Sequence, residues 1–469
     1  MLFNSLAFWM FLPLALCFYW LIPREKMMAR NSFLLCVSYI FYCAWDYRFL
    51  SLILISTTID FFAGREMVKS TDARKKILLY LSVMSNLGIL FFFKYFNFFL
   101  ASISCLGFEP SLLNSLNIIL PIGISFYTFQ SLSYTIDVFR GGQKPEKNFI
   151  TFALYVAFFP QILAGPIERA NRLLPQLKAQ KGLNLTDLSR GFDRFFIGMI
   201  KKVVISPAIF TYSTSILLNP SLSSVSEAWI KGGAWFLYLL MDFSGYSDMA
   251  IGIARMFGIR LSENFKMVLK TQDFSDFWKR WHVTLSEWFR DYVHVPLQQR
   301  GLSKYQAGFI SFTLIGIWHG ASWKFLVWGI GMGFVWCIDK RFSPMKRLSH
   351  QFPSAVQSAL NTAGFLAVFL LFGPFFAAHN LSDAGLIVKA MLGLSNPVHG
   401  AVLADASVPL IFSICLAITL EQYDWQNHSE LKLKGSWGKK LKLFVLVPLG
   451  ILLCVEGLWS SLEFKYYQF

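Results

Sequence analysis

The apolar residues of this chain fall in long blocks rather than in amphipathic stripes, which leaves few folds open to it. Residues 2–22, 77–103 and 441–459 each supply about the 20 residues that carry a helix across a hydrocarbon core. A chain of 469 residues could otherwise make two or three soluble domains. The block pattern overrides that prior, as does a charged fraction of only 15% against 55% hydrophobic residues. The expected fold class is an all-α polytopic membrane protein with about 11–12 transmembrane helices, forming one domain over 1–469. No internal repeat and no low-complexity linker divides it.

The charges give the topology. Spans are expected near 3–22, 31–45, 49–64, 77–103, 115–138, 194–217, 229–257, 305–319, 322–338, 360–378, 405–421 and 442–459. The stretch 149–168 is apolar but broken by Pro160, Gly165 and Pro166 and has basic residues on both sides, so it is expected to be re-entrant. The loops 23–30, 65–76, 140–148, 169–194, 258–304, 339–350 and 422–442 hold 34 of the 43 Lys and Arg residues. The opposite loops, 45–50, 104–114, 219–228, 379–404 and the C-terminal tail, hold only Arg48, Lys389 and Lys465. Such a bias places the first set in the cytoplasm and both termini outside. The net charge of +16 is therefore a topology signal, and nucleic-acid binding is rejected.

The first block lacks a basic n-region and a small-residue cleavage site, so it is read as a retained anchor. Seven cysteines (Cys17, Cys36, Cys43, Cys105, Cys337, Cys415, Cys454) lie scattered and mostly in apolar segments, which is no disulfide framework. In 258–304, Phe277-Trp278-Lys279-Arg280-Trp281-His282 alternates aromatic and basic residues, as a segment lying at the membrane interface would.

Polar groups at membrane depth are costly and become functional candidates by default. The sharpest is His319, in Ile315-Gly316-Ile317-Trp318-His319-Gly320-Ala321-Ser322-Trp323. Gly316 and Gly320, four apart, let another backbone approach this face. Burial favours the neutral imidazole, which can take a proton from a hydroxyl. A structural histidine bonded to a neighbouring helix fits the same pattern. His282 is the second candidate, open between a role and an interfacial histidine that stays wet. His294 is expected to be only interfacial, and His350, His379, His399 and His428 carry no signal. No metal-ligand spacing is present, so no metal site is expected. Asp242 and Asp248 interrupt an apolar span, either paired with Lys or Arg of other segments or lining a polar cavity. Gly320-Ala321-Ser322-Trp323-Lys324 opens like a nucleophile elbow but has Lys324 where the closing glycine belongs. Gly435-Ser436-Trp437-Gly438-Lys439 is too short for a phosphate-binding loop.

Several blocks together carry a resemblance. They are Leu120-Pro121-Ile122-Gly123-Ile124-Ser125-Phe126-Tyr127-Thr128-Phe129-Gln130, Phe159-Pro160-Gln161-Ile162-Leu163-Ala164-Gly165-Pro166-Ile167, and Gly245-Tyr246-Ser247-Asp248-Met249-Ala250-Ile251-Gly252. Phe277 to His282, Trp318-His319-Gly320, and the terminal Phe464-Lys465-Tyr466-Tyr467-Gln468-Phe469 complete the set. In this order they resemble the membrane-bound O-acyltransferase (MBOAT) family, in particular its bacterial alginate O-acetyltransferase subunits. The resemblance implies a ring of helices around a central funnel and catalytic roles for His319 and His282. It also implies acetyl-CoA as donor substrate with no bound cofactor, and a periplasmic acetyltransferase partner or polysaccharide acceptor such as alginate or peptidoglycan. The implied setting is the bacterial inner membrane, in contact with lipid. His294-Val295-Pro296-Leu297-Gln298-Gln299-Arg300 departs from the family's usual Tyr-Ile-Pro-Leu-Gly-Gly-Asn-Arg, and Met267-Val268 stands where a Met-Pro pair is common. Both departures bear on the subfamily and hence on the acceptor. D-alanyl or other acyl transfer by the same fold, and transport, are the alternatives.

Overall fold

The structure, a computed structural model, describes residues 1–104, 116, 118–179, 182–218, 224–342, 352–395 and 408–421. The expected span at 442–459, the loop 422–442, His350, His399, His428 and the terminal block lie outside the described residues. The described residues form α-helices joined by short π, 3₁₀ and irregular segments, with no strand among them. The chain is an all-α polytopic membrane protein. Among the described residues, four continuous helical stretches are long and apolar enough to cross a membrane by length and composition: Met27–Met67, Asp72–Ser104, Leu185–Thr214 and Val356–Ala377. Shorter apolar helices, including Leu6–Leu21 and Phe149–Ile162, accompany them.

The chain groups into two compact units, Met1–Phe196 with Ser247–Ser262, and Ile197–Tyr246 with Glu263–Phe469. The first contains α1 (Leu6–Leu21), α2 (Met27–Asp46), α3 (Leu50–Met67), α4 (Asp72–Leu90) and α5 (Phe96–Ser104). It continues with α6 (Ile124–Phe139), α7 (Phe149–Ala157), α8 (Phe159–Ile162), α9 (Ala170–Lys178) and most of α10 (Leu185–Met199). Ile77, Tyr80, Met84 and Phe99 on α4 and α5 are exposed, the state of a helix face turned to lipid.

The expected re-entrant stretch is indeed broken. α7 stops at Ala157 because Phe158 leaves the helical region (φ −53°, ψ 110°), and Pro160 opens the one-turn α8. Every residue from Phe152 to Phe159 is fully buried, so the carbonyls and amides freed by the break need partners inside the protein. Gln130 and Gln161 both donate side-chain N–H groups to the Tyr155 carbonyl, and the Phe159 amide donates to the Ser38 hydroxyl at 3.1 Å. The Tyr155 hydroxyl donates to the Gln130 and Glu168 carbonyls at 3.1 and 3.2 Å. Gly123 begins α6 at φ +78°, and a Cβ there would strike the Ile162 carbonyl. Two of the quoted sequence blocks thus pack on each other. The helix expected from 115 starts only at Ile124, because Pro121 and the left-handed Gly123 hold residues 118–123 out of it.

The second unit holds α11 (Ser206–Leu218), the first two thirds of α12 (Val225–Met256), and the short α13 (Phe274–Phe277), α14 (Val283–Phe289) and α15 (Val295–Gln299). It ends with α16 (Lys304–His319), α17 (Trp323–Phe342), α18 (Ser354–Ala377), α19 (Leu381–Met391) and α20 (Val408–Glu421). α16 and α17 are two helices and not one long one, parted at Gly320–Ser322. Their backbones touch as the glycine spacing predicts: a Cβ on Gly316 would lie 2.7 Å from the Gly329 Cα and overlap the Phe325 carbonyl. α19 was not expected in the loop 379–404. Asn380 starts it by accepting the Asp383 amide at 2.8 Å.

The acidic residues of α12 are paired. Asp248 accepts from Arg194 Nε and Nη2 at 3.0 and 2.9 Å within the first unit. Asp242 accepts from Lys202, and from the Ser206 hydroxyl at 3.3 Å, within the second. All of these side chains are buried or nearly so.

Candidate active site

His319 closes α16 and is buried to 6% exposure. Three aromatic rings hold its imidazole: Phe376 at 4.8 Å, Trp318 at 5.0 Å and Trp328 at 5.3 Å between centroids. The residue also lines a pocket of about 50 Å³, together with Lys231, Trp235, Trp278, Trp281 and Phe376. At roughly 10–15 Å³ for a water-sized occupant, it admits a group of a few heavy atoms. Among its lining residues the charged one is Lys231, bound to Glu227 one turn away on α12.

His282 does not stay wet. It is fully buried, and it takes a left-handed conformation (φ 42°, ψ 50°) that costs a residue with a Cβ about 1–3 kcal/mol. Asn264 holds it there. The Asn264 Oδ1 accepts from the Thr284 amide (3.2 Å) and hydroxyl (2.9 Å), and the Asn264 carbonyl accepts from the Val283 amide (3.0 Å). The same Oδ1 lies 3.2 Å from His282 Nδ1. An oxygen already receiving a backbone N–H can only accept, so Nδ1 carries the proton and Nε2 is left as the acceptor. Phe243 packs edge-on at 4.8 Å and Trp318 at 6.1 Å. The Trp318 ring therefore touches both histidines, while His282 stays outside the lining of the His319 pocket.

Burial pushes the His282 imidazole down to about 3 from its ordinary 6.5. Between those values the unfolded chain binds a proton that the folded one refuses. Stability from this group is complete above pH 6.5 and falls as the pH drops, by up to about 1.4 kcal/mol per pH unit. His282→Gln is expected to shrink the drop in melting temperature between pH 7 and pH 5 in detergent. An undiminished drop would contradict this origin.

The aromatic–basic alternation of 277–282 has a different cause from the interfacial one expected. Phe277, Trp281 and His282 point into the core, while Lys279 is exposed. A second, larger cavity of about 550 Å³ lies beside them, lined by Lys266, Lys279, Arg290, His294, Lys340 and Trp278 among others. His294 belongs to this wall, its ring 5.7 Å from Trp336. Trp278 lines both cavities, and its indole N–H is buried with no acceptor among the described residues. Trp278, Lys231 and Asn264 were missed as site residues. Only Trp278 had a signal, its place in the block that ends at His282.

An all-α polytopic membrane protein that turns a buried histidine toward a small aromatic pocket is the class that fold and site define. The sequence model of the membrane-bound O-acyltransferase family, MBOAT, matches residues 3–377, and the chain belongs to that family. It is 40% identical over 354 residues to a probable alginate O-acetylase AlgI of Pseudomonas syringae pv. tomato, covering 72% of this chain and 66% of the relative. It is 29% identical over 521 aligned positions to the peptidoglycan O-acetyltransferase of Helicobacter pylori, covering 100% of this chain and 98% of the relative. A teichoic acid D-alanyltransferase of Bacillus subtilis is 31% identical over 231 residues, 46% of this chain and 57% of the relative.

Proposed function

We propose that this chain is a membrane O-acetyltransferase. It moves acetyl from cytoplasmic acetyl-CoA across the bacterial inner membrane, for O-acetylation of an extracytoplasmic polysaccharide such as an alginate-type exopolysaccharide or peptidoglycan. The observation that carries this reading is the small aromatic pocket of about 50 Å³ with His319 on its wall, large enough for an acetyl group. His319 accepts the proton of an acceptor hydroxyl as that oxygen attacks the thioester carbonyl. The C–S bond then breaks, CoA leaves as thiolate, and the proton held by His319 returns to the sulfur. The products are an acetyl ester and free CoA thiol. The thioester needs a base and electrostatic support for its oxyanion, not a protein nucleophile. The Trp278 N–H is a donor near the reaction to supply that support. His282, neutral and fixed by Asn264, orients the aromatic wall through Trp318 rather than titrating in the reaction.

The basic cavity suits the donor's phosphates, which Lys266, Lys279, Arg290 and Lys340 would attract. Trp278, common to both cavities, puts the acyl end within reach of His319. The acceptor hydroxyl belongs to a periplasmic acetyltransferase partner or to the polysaccharide itself. The relatives act, by their names, on alginate, peptidoglycan and teichoic acid. Two observations weigh against the alternatives. A D-alanyl group brings an ammonium into the pocket, where the charged lining residue is Lys231 and no carboxylate lines it among the described residues. The transport reading drew on Asp242 and Asp248, which pair with Lys202 and Arg194.

Thiol release by the purified protein in detergent, with periplasmic extract supplying acceptors, tests the donor. Acetyl-CoA is expected to turn over about tenfold or more faster than butyryl-CoA, the scale set by added methylenes in a filled pocket. Palmitoyl-CoA and a D-alanyl carrier-protein thioester are expected to be inert. Preference for either of the last two would overturn the acetyl assignment.

A further inference from the structure

Lys324 is a charged residue in an unfavourable place. It sits in the first turn of α17, where a cation opposes the helix dipole, and it is buried to 7% exposure. A lysine kept at such a site against its desolvation cost needs a compensating set of acceptors. It has them across the unit, at the end of α18. Its Nζ donates to the Ala378 carbonyl at 2.5 Å and to the Phe376 carbonyl at 3.4 Å. The Nζ also stands 4.7 Å over the Phe325 ring.

The receiving end explains the arrangement. The last carbonyls of a helix have no intrahelical partner, and here they are buried, with Phe376 at 6% and Ala378 at 0% exposure. Phe376, the owner of one of the two, lines the pocket. The Phe376 ring lies 4.8 Å from the His319 imidazole, 5.5 Å from Trp328, 5.1 Å from Phe325 and 5.9 Å from Trp235. Phe325, under the ammonium, fills the space where a Cβ on Gly320 would stand, directly after His319. One side chain therefore ties both flanks of the imidazole, the α18 terminus on one side and the Gly320 turn on the other.

We infer that Lys324 is a positioning residue for His319, acting through the α18 terminus and the Phe376 ring that packs on the imidazole. The inference rests on the acyl-transfer reading above. The lysine that spoils a nucleophile elbow in the sequence serves instead to cap a neighbouring helix and set the geometry of the base.

The test is steady-state thiol release from acetyl-CoA by full-length protein, with acceptor extract present. The variants are Lys324→Met, Lys324→Arg, Phe376→Leu and the Lys324→Met/Phe376→Leu double. Misplacing a base by about 1 Å costs on the order of 10²-fold, so Lys324→Met is expected to lose that much kcat while the acetyl-CoA KM stays within about twofold. Lys324→Arg, which can still donate to both carbonyls, is expected to recover most of the rate. Phe376→Leu is expected to fall in kcat alone, and the double variant to be no worse than the poorer single. Unchanged kcat in Lys324→Met, equal losses in Met and Arg variants, or a change confined to KM would overturn the inference. Should Lys324→Met fail to survive solubilisation, an Arg variant as poor as Phe376→Leu, or an unimpaired Phe376→Leu, does so instead. A wild type inactive with acetyl-CoA sinks the donor assignment first and takes the inference with it.

Discussion

Replacing His319 with Gln is expected to abolish turnover while leaving the donor bound. Removal of a general base costs about 10²–10⁴-fold, or roughly 3–5 kcal/mol of transition-state stabilisation. Gln keeps a polar side chain of related size between Phe376, Trp318 and Trp328, so the aromatic packing has little reason to collapse. The acetyl-CoA KM is expected to hold, because the basic residues suited to the phosphates line a cavity to which His319 does not belong. Thiol release measured beside thermal stability in detergent separates the alternatives. A variant that melts early and loses rate in proportion would mean that His319 is structural.

The largest stability effect is expected at Arg194. Its guanidinium meets Asp248 at 2.9 and 3.0 Å with both side chains 7% exposed, and Arg194 itself stands in a helical stretch long and apolar enough to span the membrane. Arg194→Met takes this cation away from the buried carboxylate. Breaking a buried pair from one side costs about 3–5 kcal/mol, whereas replacing both members with apolar residues of similar volume is often neutral. The Arg194→Met/Asp248→Leu double is therefore expected to regain most of what the single loses. Melting of the three proteins in one detergent checks this. A double variant as unstable as the single would mean that Asp248 does something other than balance Arg194.

Much of the architecture was legible because the bilayer dictates element length. Blocks of about 20 apolar residues and basic breaks between them allow few other folds. His319 stood out for the same reason, as a titratable group among glycines and tryptophans at membrane depth. What could not be read was who meets whom. Asp248 announces a need for a cation, yet nothing in its own segment says that the partner is Arg194, 54 residues away. Phe376 and Lys324 look like an ordinary apolar residue and a misplaced charge until α18 ends beside α17. His282 stayed open between two readings because alternation of aromatic and basic residues has the same appearance at an interface and in a turn that buries its rings. The left-handed backbone held by Asn264 decides between them, and it is set by a contact 18 residues away. The missed α19 did leave a trace, since Asn380 three residues before Asp383 is a helix-start signal. Gln130 and Gln161 lay in quoted blocks, but their work on the Tyr155 carbonyl follows only from the break in α7.

Acyl transfer is proposed to take place at the pocket on which His319 stands. The most direct measurement is a structure of the full-length protein with a non-cleavable acetyl-CoA analogue whose thioester sulfur is followed by a methylene. The acetyl carbonyl is expected in the pocket among His319, Trp278 and Phe376, with the diphosphate near Lys266, Lys279, Arg290 or Lys340. An analogue bound with its carbonyl away from His319, or seated with its phosphates outside the basic cavity, would contradict it.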